Sequence, residues 1–291
     1  MLRKYKIARC LSLIAVLVLT AACTKKQNAE VDNETRSVVD FAIVHHDFIS
    51  LIPVVQQRLA NTPGTGSNIK KNGVSCEVLT LVSGDTLWGK TGHVNPTYTM
   101  QINASACTGD FSDDASRGGA VTVYLTNPLQ NVGATAIVKV NEYKTELIRE
   151  PGGIKPRIAS CDSLILTTIS STSTLVSTGA KLVNGSFSPL GCKLFFDLTI
   201  QSYFTGTGNT ASYTSHTGTA TGKNRNGRAF SVLIPTTTPL VKHKTCNSFD
   251  EGRCEITPEG FNTRLADFGT GSCDENATFS INGNIIAFKL K

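Results

Sequence analysis

The sequence contains no C-x-x-C pair, no H-E-x-x-H, no G-x-S-x-G and no EF-hand calcium cadence. These absences remove a thioredoxin-like redox site, the zinc spacings of knuckles and metalloproteases, a hydrolase nucleophile elbow and a calcium loop of that kind. The five histidines, His45, His46, His93, His216 and His243, form no facial-triad spacing. His45, His46 and Asp47 are adjacent, but neighbouring helix residues point in different directions, so solvated side chains are expected there. A phosphate loop is also missing: "GTATGKNRNG", residues 218–227, has Gly222 and Lys223, but its spacing is wrong and Asn224 replaces the required hydroxyl residue. Two strands joined at Asn224–Gly227 are expected instead, with Arg225 and Arg228 at a solvent-exposed tip.

Basic charge is concentrated at the start. "MLRKYKIAR" carries Arg3, Lys4, Lys6 and Arg9 without an acid, and "CLSLIAVLVLTAA" follows as a short apolar run. That is the layout of a bacterial signal peptide over residues 1–22. The run falls short of the roughly 20 residues that cross a bilayer, and no later segment is expected to be long and apolar enough. Loss of residues 1–22 removes those four basic side chains and lowers the formal charge from +6 to +2. No dense basic block remains, so nucleic acid is not an expected partner.

The run ends in "LTAAC", where Ala22 precedes Cys23. This resembles a bacterial lipobox, with Thr20 where leucine is commonest, and it implies lipidation of Cys23. Multiple acyl chains would supply stable anchoring to a membrane. Residues 23–37 are polar and read as a tether.

Over 38–60, Val38, Phe41, Val44, Phe48, Leu51 or Ile52, Val55 and Leu59 recur at three- and four-residue spacing. The spacing predicts one amphipathic helix that packs on a β domain or contacts another protein. Pro53 is expected to kink or divide it. Residues 61–73 are a linker by composition. From 74 to 291, short runs such as "CEVLTLV", "AVTVYL", "KLFFDLTI" and "ATFSI" alternate with Gly, Asn, Asp and Pro. An all-β antiparallel sandwich or related multi-sheet domain follows, preceded by the helix and open to division near 149–160. In "ATFSINGNIIAFKL", Asn282-Gly283 predicts a two-residue hairpin turn, with Ala277, Phe279 and Ile281 sharing a face with Ile286, Phe288 and Leu290.

Beyond Cys10 and Cys23, seven cysteines remain. Cys76, Cys161 and Cys246 stand 85 residues apart, and each is followed about 30 residues later by another. The expected disulfides are Cys76–Cys107, Cys161–Cys192 and Cys246–Cys273, with Cys254 unpaired; other connectivities stay open. An envelope location suits disulfides.

No cofactor is expected and no catalytic residue is assigned. Trp88, the single tryptophan, is a candidate ligand platform beside Asp85, although such rings also fill sandwich cores. Asp110, Asp113 and Asp114, or Asp267, Asp274 and Glu275, are candidate acidic clusters, and exposed loop acids are the default reading of both. Asp267, Asp274 and Glu275 would meet a calcium ion only if the chain folded back; a tight turn is the simpler expectation. Two facing carboxylates in a groove would instead indicate an envelope glycoside hydrolase or another carboxylate-dependent hydrolase.

The stretches "TGKNRNGRAFSVLI", "TPLVKHKTC" and "EITPEGFNTRLADFGTGSCDENATFSINGN" resemble uncharacterised lipoproteins of Bacteroidota, and "ACTGDFSDDASRGGAVTVYL" with the helix follows in the same order. The resemblance covers most of the mature chain, with residues 217–290 the distinctive part. It implies envelope localisation, a β-rich fold and surface display; the expected anchorage is lipid-mediated, at the outer membrane. It assigns no catalysis, and Cys254 departs from its pattern. The expected function is a noncatalytic envelope-anchored binding or structural protein, with a glycan or an envelope protein as partner; no feature sets an oligomeric state.

Overall fold

The computed structural model describes residues 32–60, 68–71, 74–102, 118–150, 153–205 and 211–290. The expected signal peptide, Cys23, Cys107, Asp110, Asp113 and Asp114 lie outside them, as does the Cys76 side chain. Helix α1 spans Arg36–Ala60, and fifteen strands form one sheet. They are β1 (Asn68–Lys71), β2 (Val74–Ser83), β3 (Thr97–Ile102), β4 (Gly118–Leu125), β5 (Thr135–Glu150), β6 (Gly153–Ser171), β7 (Leu175–Ser188) and β8 (Cys192–Tyr203). There follow β9 (Tyr213–Lys223), β10 (Ala229–Ile234), β11 (Leu240–His243), β12 (Glu251–Pro258), β13 (Arg264–Thr270), β14 (Asn276–Ile281) and β15 (Asn284–Lys289). The ladder is antiparallel and runs in chain order except that β10 pairs with β12, while β11 bridges β9 and β12.

Alternation sets the inner face. In "CKLFFDLTIQSY" of β8, Cys192, Leu194, Phe196, Leu198 and Ile200 point inward, whereas Lys193 and Asp197 point out. Threonine and serine decorate the outer face because they suit a pleated surface that is wet on one side. The stretch 149–160 is no break in the ladder: β5 and β6 form one long hairpin paired as far as Glu150 and Gly153.

The helix supplies what the inner face packs against. Val38, Phe41, Val44, Phe48, Leu51, Ile52, Val55 and Leu59 are all buried, as the spacing predicts. So are Ala42, Ile49 and Val54 on other sides of the helix, and a helix apolar nearly all round is a core helix. Phe41 meets Phe230 of β10, Phe48 meets Phe187 of β7, and His45 meets Phe196 of β8. The sheet from β6 to β13 therefore curves around α1. The helix continues through Pro53, whose exposed ring costs one backbone bond without dividing it.

Two sequence expectations about this helix are corrected. Arg36–Gln56 has a mean hydropathy of 1.7 over its best 18-residue window, enough by length and composition to cross a membrane. Most of that window is buried against the sheet, which is the usual condition of a core helix. His45, His46 and Asp47 are not solvated either, at 1, 9 and 2 % exposure, because the sheet covers the sides of α1 that an amphipathic helix would leave wet.

Gly185 lets the sheet come close under the helix. A Cβ there would lie 2.8 Å from the Phe48 ring and 2.7 Å from the Leu194 carbonyl oxygen, so only glycine fits without movement. The preceding residue, Asn184, takes φ 53° at the register shift of β7.

Candidate functional site

The buried polar groups of α1 are satisfied by distant strands. Asp47 accepts two hydrogen bonds from Arg157 of β6, at 2.7 and 2.9 Å. Burial opposes the Asp47 charge, but His46 and Arg157 outweigh it and hold the carboxyl below its ordinary range. Asp40 binds the side chain and the amide of Arg225, and the buried Asn224 donates to Ser37 and Glu34. The 224–227 turn is thus tucked onto the helix, and the expected solvent-exposed arginine tip is corrected. Arg228 donates to the Glu259 carbonyl and lies over Phe261. These contacts lock the fold.

His45 and His216 are different. Both imidazoles are buried, with ring centroids 6.1 Å apart, and Phe249 packs on each. Among the described residues, neither nitrogen of His45 has a hydrogen-bond partner, nor does Nδ1 of His216. Burial, then the neighbouring His216 and His46, push the His45 pKa well below the usual value; burial and Lys242 bring His216 to about 3. Both rings are neutral at physiological pH.

Trp88 lies in the 84–96 loop between β2 and β3, half-buried, its ring 4.8 Å from His93. Asp85 fixes this loop by accepting from the amides of Leu87 and Val94 and by meeting His93 Nδ1 at 2.5 Å. The His93 contact, followed by the two amides, holds the Asp85 carboxyl below its usual range. Asn95 touches His93 and donates to the Tyr124 hydroxyl, tying the loop to β4. Leu87 and Val94 of this loop are exposed, at 59 and 60 %, as are Leu81 and Val82 at the end of β2, at 39 and 61 %. Trp88 packs against the core rather than standing free as a platform. A second aromatic group, Tyr203 stacked on Tyr213 at 4.4 Å, sits beside His243.

The three calcium candidates do not converge. Asp267 pairs with Arg253 at 2.8 Å and caps the Gly269 amide, Asp274 turns back to the Asn276 amide, and Glu275 accepts from Asn247. Among the described residues, the donor grouping that does form is His243, Cys246 and Asp250, with ligand atoms all within 4.8 Å of one another. The sequence reading missed it. Its trace was there in "HKTCNSFD", a His-x-x-Cys-x-x-x-Asp spacing on a hairpin end, but with no partner motif to single it out.

Cys246 is joined to Cys273, with 4.9 Å between their Cα atoms, and the bond ties the β11–β12 loop to the β13–β14 loop. Cys161 and Cys192 are free buried thiols, which corrects the pairing expected from their spacing. Strand β7 lies between theirs, so their backbones are about 9 to 10 Å apart at ordinary strand spacing, beyond the ~7 Å limit for a bridge. Burial pushes both up to about 12, which leaves them inert at neutral pH. Cys254 is also free and buried. No protein-family model, curated sequence or solved structure matches the chain.

Proposed function

We propose that this is a noncatalytic binding protein of the bacterial cell envelope, anchored to the outer membrane through acylated Cys23 and docking an envelope protein on the rim of the 84–96 loop. The observation that carries the reading is that rim: Leu87 and Val94 stand exposed on a loop that Asp85, His93 and Asn95 hold in one shape, and Leu81 and Val82 are exposed on the end of β2 that leads into it. Exposed apolar side chains at a pre-organised loop suit a protein partner better than a sugar, which needs convergent polar groups beside an open ring. The lipobox-like "LTAAC" and the resemblance to Bacteroidota lipoproteins support the anchor and its location.

The hydrolase alternative finds less support. A general acid on a carboxyl needs a raised pKa, and Asp47, Asp85 and Asp274 are shifted down, so these three do not suit that role. Capture from detergent-solubilised envelopes on the immobilised mature chain tests the reading. The expected outcome is a specific envelope protein retained by the natural chain and lost with Leu87→Asp plus Val94→Asp. Retention unchanged by that variant, or binding to glycans alone, overturns the docking surface. Cys23→Ala is expected to abolish incorporation of labelled fatty acid and to release the protein from membranes.

A further inference from the structure

We propose that the end of the fold where β11 meets β12 is a latent site for one divalent, zinc-class cation, closed by the Cys246–Cys273 disulfide and opened by its reduction. His243, Cys246 and Asp250 already place their donor atoms within 4.8 Å of one another. The Cys273 sulfur lies one S–S bond from that of Cys246, at the edge of this group. With the Cys273 sulfur turned inward after the bond opens, one nitrogen, one carboxylate oxygen and two sulfurs would make a four-donor set for a borderline-soft ion. In the disulfide neither sulfur carries charge, and the set lacks its two strongest donors.

The surroundings suit the ion. Asp250, 2 % exposed, is oriented by the His243 amide, which donates to Oδ1 at 3.0 Å and leaves Oδ2 toward His243 Nδ1 at 2.7 Å. Such outer contacts fix a ligand's direction before the metal arrives. Lys242 Nζ donates to the Cys246 carbonyl at 2.8 Å, placing a positive charge beside a site that would carry two thiolates and a carboxylate around one divalent ion. His243 is 39 % exposed at its side chain, which gives access from solvent. A disulfide by itself requires neither a buried aspartate nor a histidine at its side.

Opening is thiol–disulfide exchange with a dithiol reductant. A reductant thiolate attacks one sulfur and breaks the S–S bond; its second thiol resolves the mixed disulfide, so the reductant ends as a disulfide and the protein gains two thiols. The cation then displaces the two thiol protons to solvent and binds the thiolates, with the Asp250 carboxylate and a neutral His243 nitrogen completing the set.

Cobalt(II) serves as the probe, because thiolate ligation gives a charge-transfer band in the near ultraviolet. The mature chain is titrated before and after reduction with a phosphine, which removes the disulfide without competing for metal. The expected result is no thiolate band in the oxidised protein, one equivalent bound after reduction, and displacement of cobalt by zinc. A Cys246→Ser plus Cys273→Ser variant retains the other cysteines and is expected to show no band. His243→Gln, at a partly exposed side chain, is expected to weaken cobalt binding in the reduced protein about tenfold or more. Absence of the band after reduction, its persistence in the double serine variant, or unchanged affinity in His243→Gln each overturns the proposal.

Discussion

Arg157 of β6 places Nε and Nη2 on the two carboxylate oxygens of Asp47 of α1, joining residues 110 positions apart in a parallel pair of hydrogen bonds. The arginine is 6 % exposed and the aspartate 2 %, so neither charge has water to fall back on. A pair of this kind contributes little compared with a well-packed apolar replacement, yet removal of one member leaves the other charge stranded.

Asp47→Leu and Arg157→Met are therefore each expected to destabilise the protein by about 3–5 kcal/mol. Asp47→Leu combined with Arg157→Met is expected to lose much less than the sum of the two single changes. Urea unfolding of the four proteins forms the cycle. Additive losses would mean that the pair is not coupled.

Acid is expected to unfold the protein in two stages. In the unfolded chain His45 and His216 take protons near pH 6.5, whereas in the fold both stay neutral to much lower pH, His216 to about 3. The unfolded state then binds more protons, so stability falls as pH drops below about 6.5, by about 1.4 kcal/mol per pH unit for each imidazole until its folded pKa is reached. Asp47 behaves as a depressed carboxylate: its contribution is present above its unfolded pKa of about 3.9 and is lost as pH falls through the lower folded value. Urea midpoints at pH 7, 6 and 5 measure the first stage, and His216→Gln is expected to reduce the slope. Equal midpoints at pH 7 and 5 would contradict the burial of neutral rings.

Gly185→Ala is expected to cost about 1–3 kcal/mol through overpacking. The added methyl meets Leu182, the Leu194 carbonyl and Phe48 at 2.6–2.8 Å, and of these the carbonyl cannot swing aside. A thermal melt compares it with Gly133→Ala, where open space surrounds the position and only the positive φ of 82° opposes the change.

Replacing Cys246 and Cys273 together by alanine is expected to lower stability by about 3 kcal/mol, since the bond closes a 27-residue separation in the unfolded chain. Denaturation of the metal-free protein with and without reductant gives the same quantity independently.

The C-terminal hairpin was legible because local chemistry decides it. Asn282 and Gly283 both take positive φ, at 51° and 83°, and Ile281 pairs with Asn284 across the two-residue turn. The presence of α1 was legible for the same kind of reason, its three- and four-residue spacing. Its burial on further sides was not, because that depends on how far the sheet curves. Arg225 was misplaced because a turn rich in Asn, Gly and Arg reads as wet, while the aspartate that draws it inward lies 185 residues earlier. Cys161 and Cys192 show the limit of spacing arguments: equal intervals along the chain say nothing about the strand that intervenes.

The position of α1 inside the curve of the sheet constrains the order of events in synthesis. The helix leaves the ribosome first, and the groups that neutralise and cover it follow late: Arg157, Phe187, Phe196, Arg225 and Phe230 all lie more than a hundred residues downstream. For that interval the nascent chain carries an apolar segment of membrane-spanning length with no partner of its own. Such long-range dependence slows folding and exposes the segment to aggregation. A holding chaperone that shields residues 36–56 until β13 has emerged would meet a need that the topology itself creates.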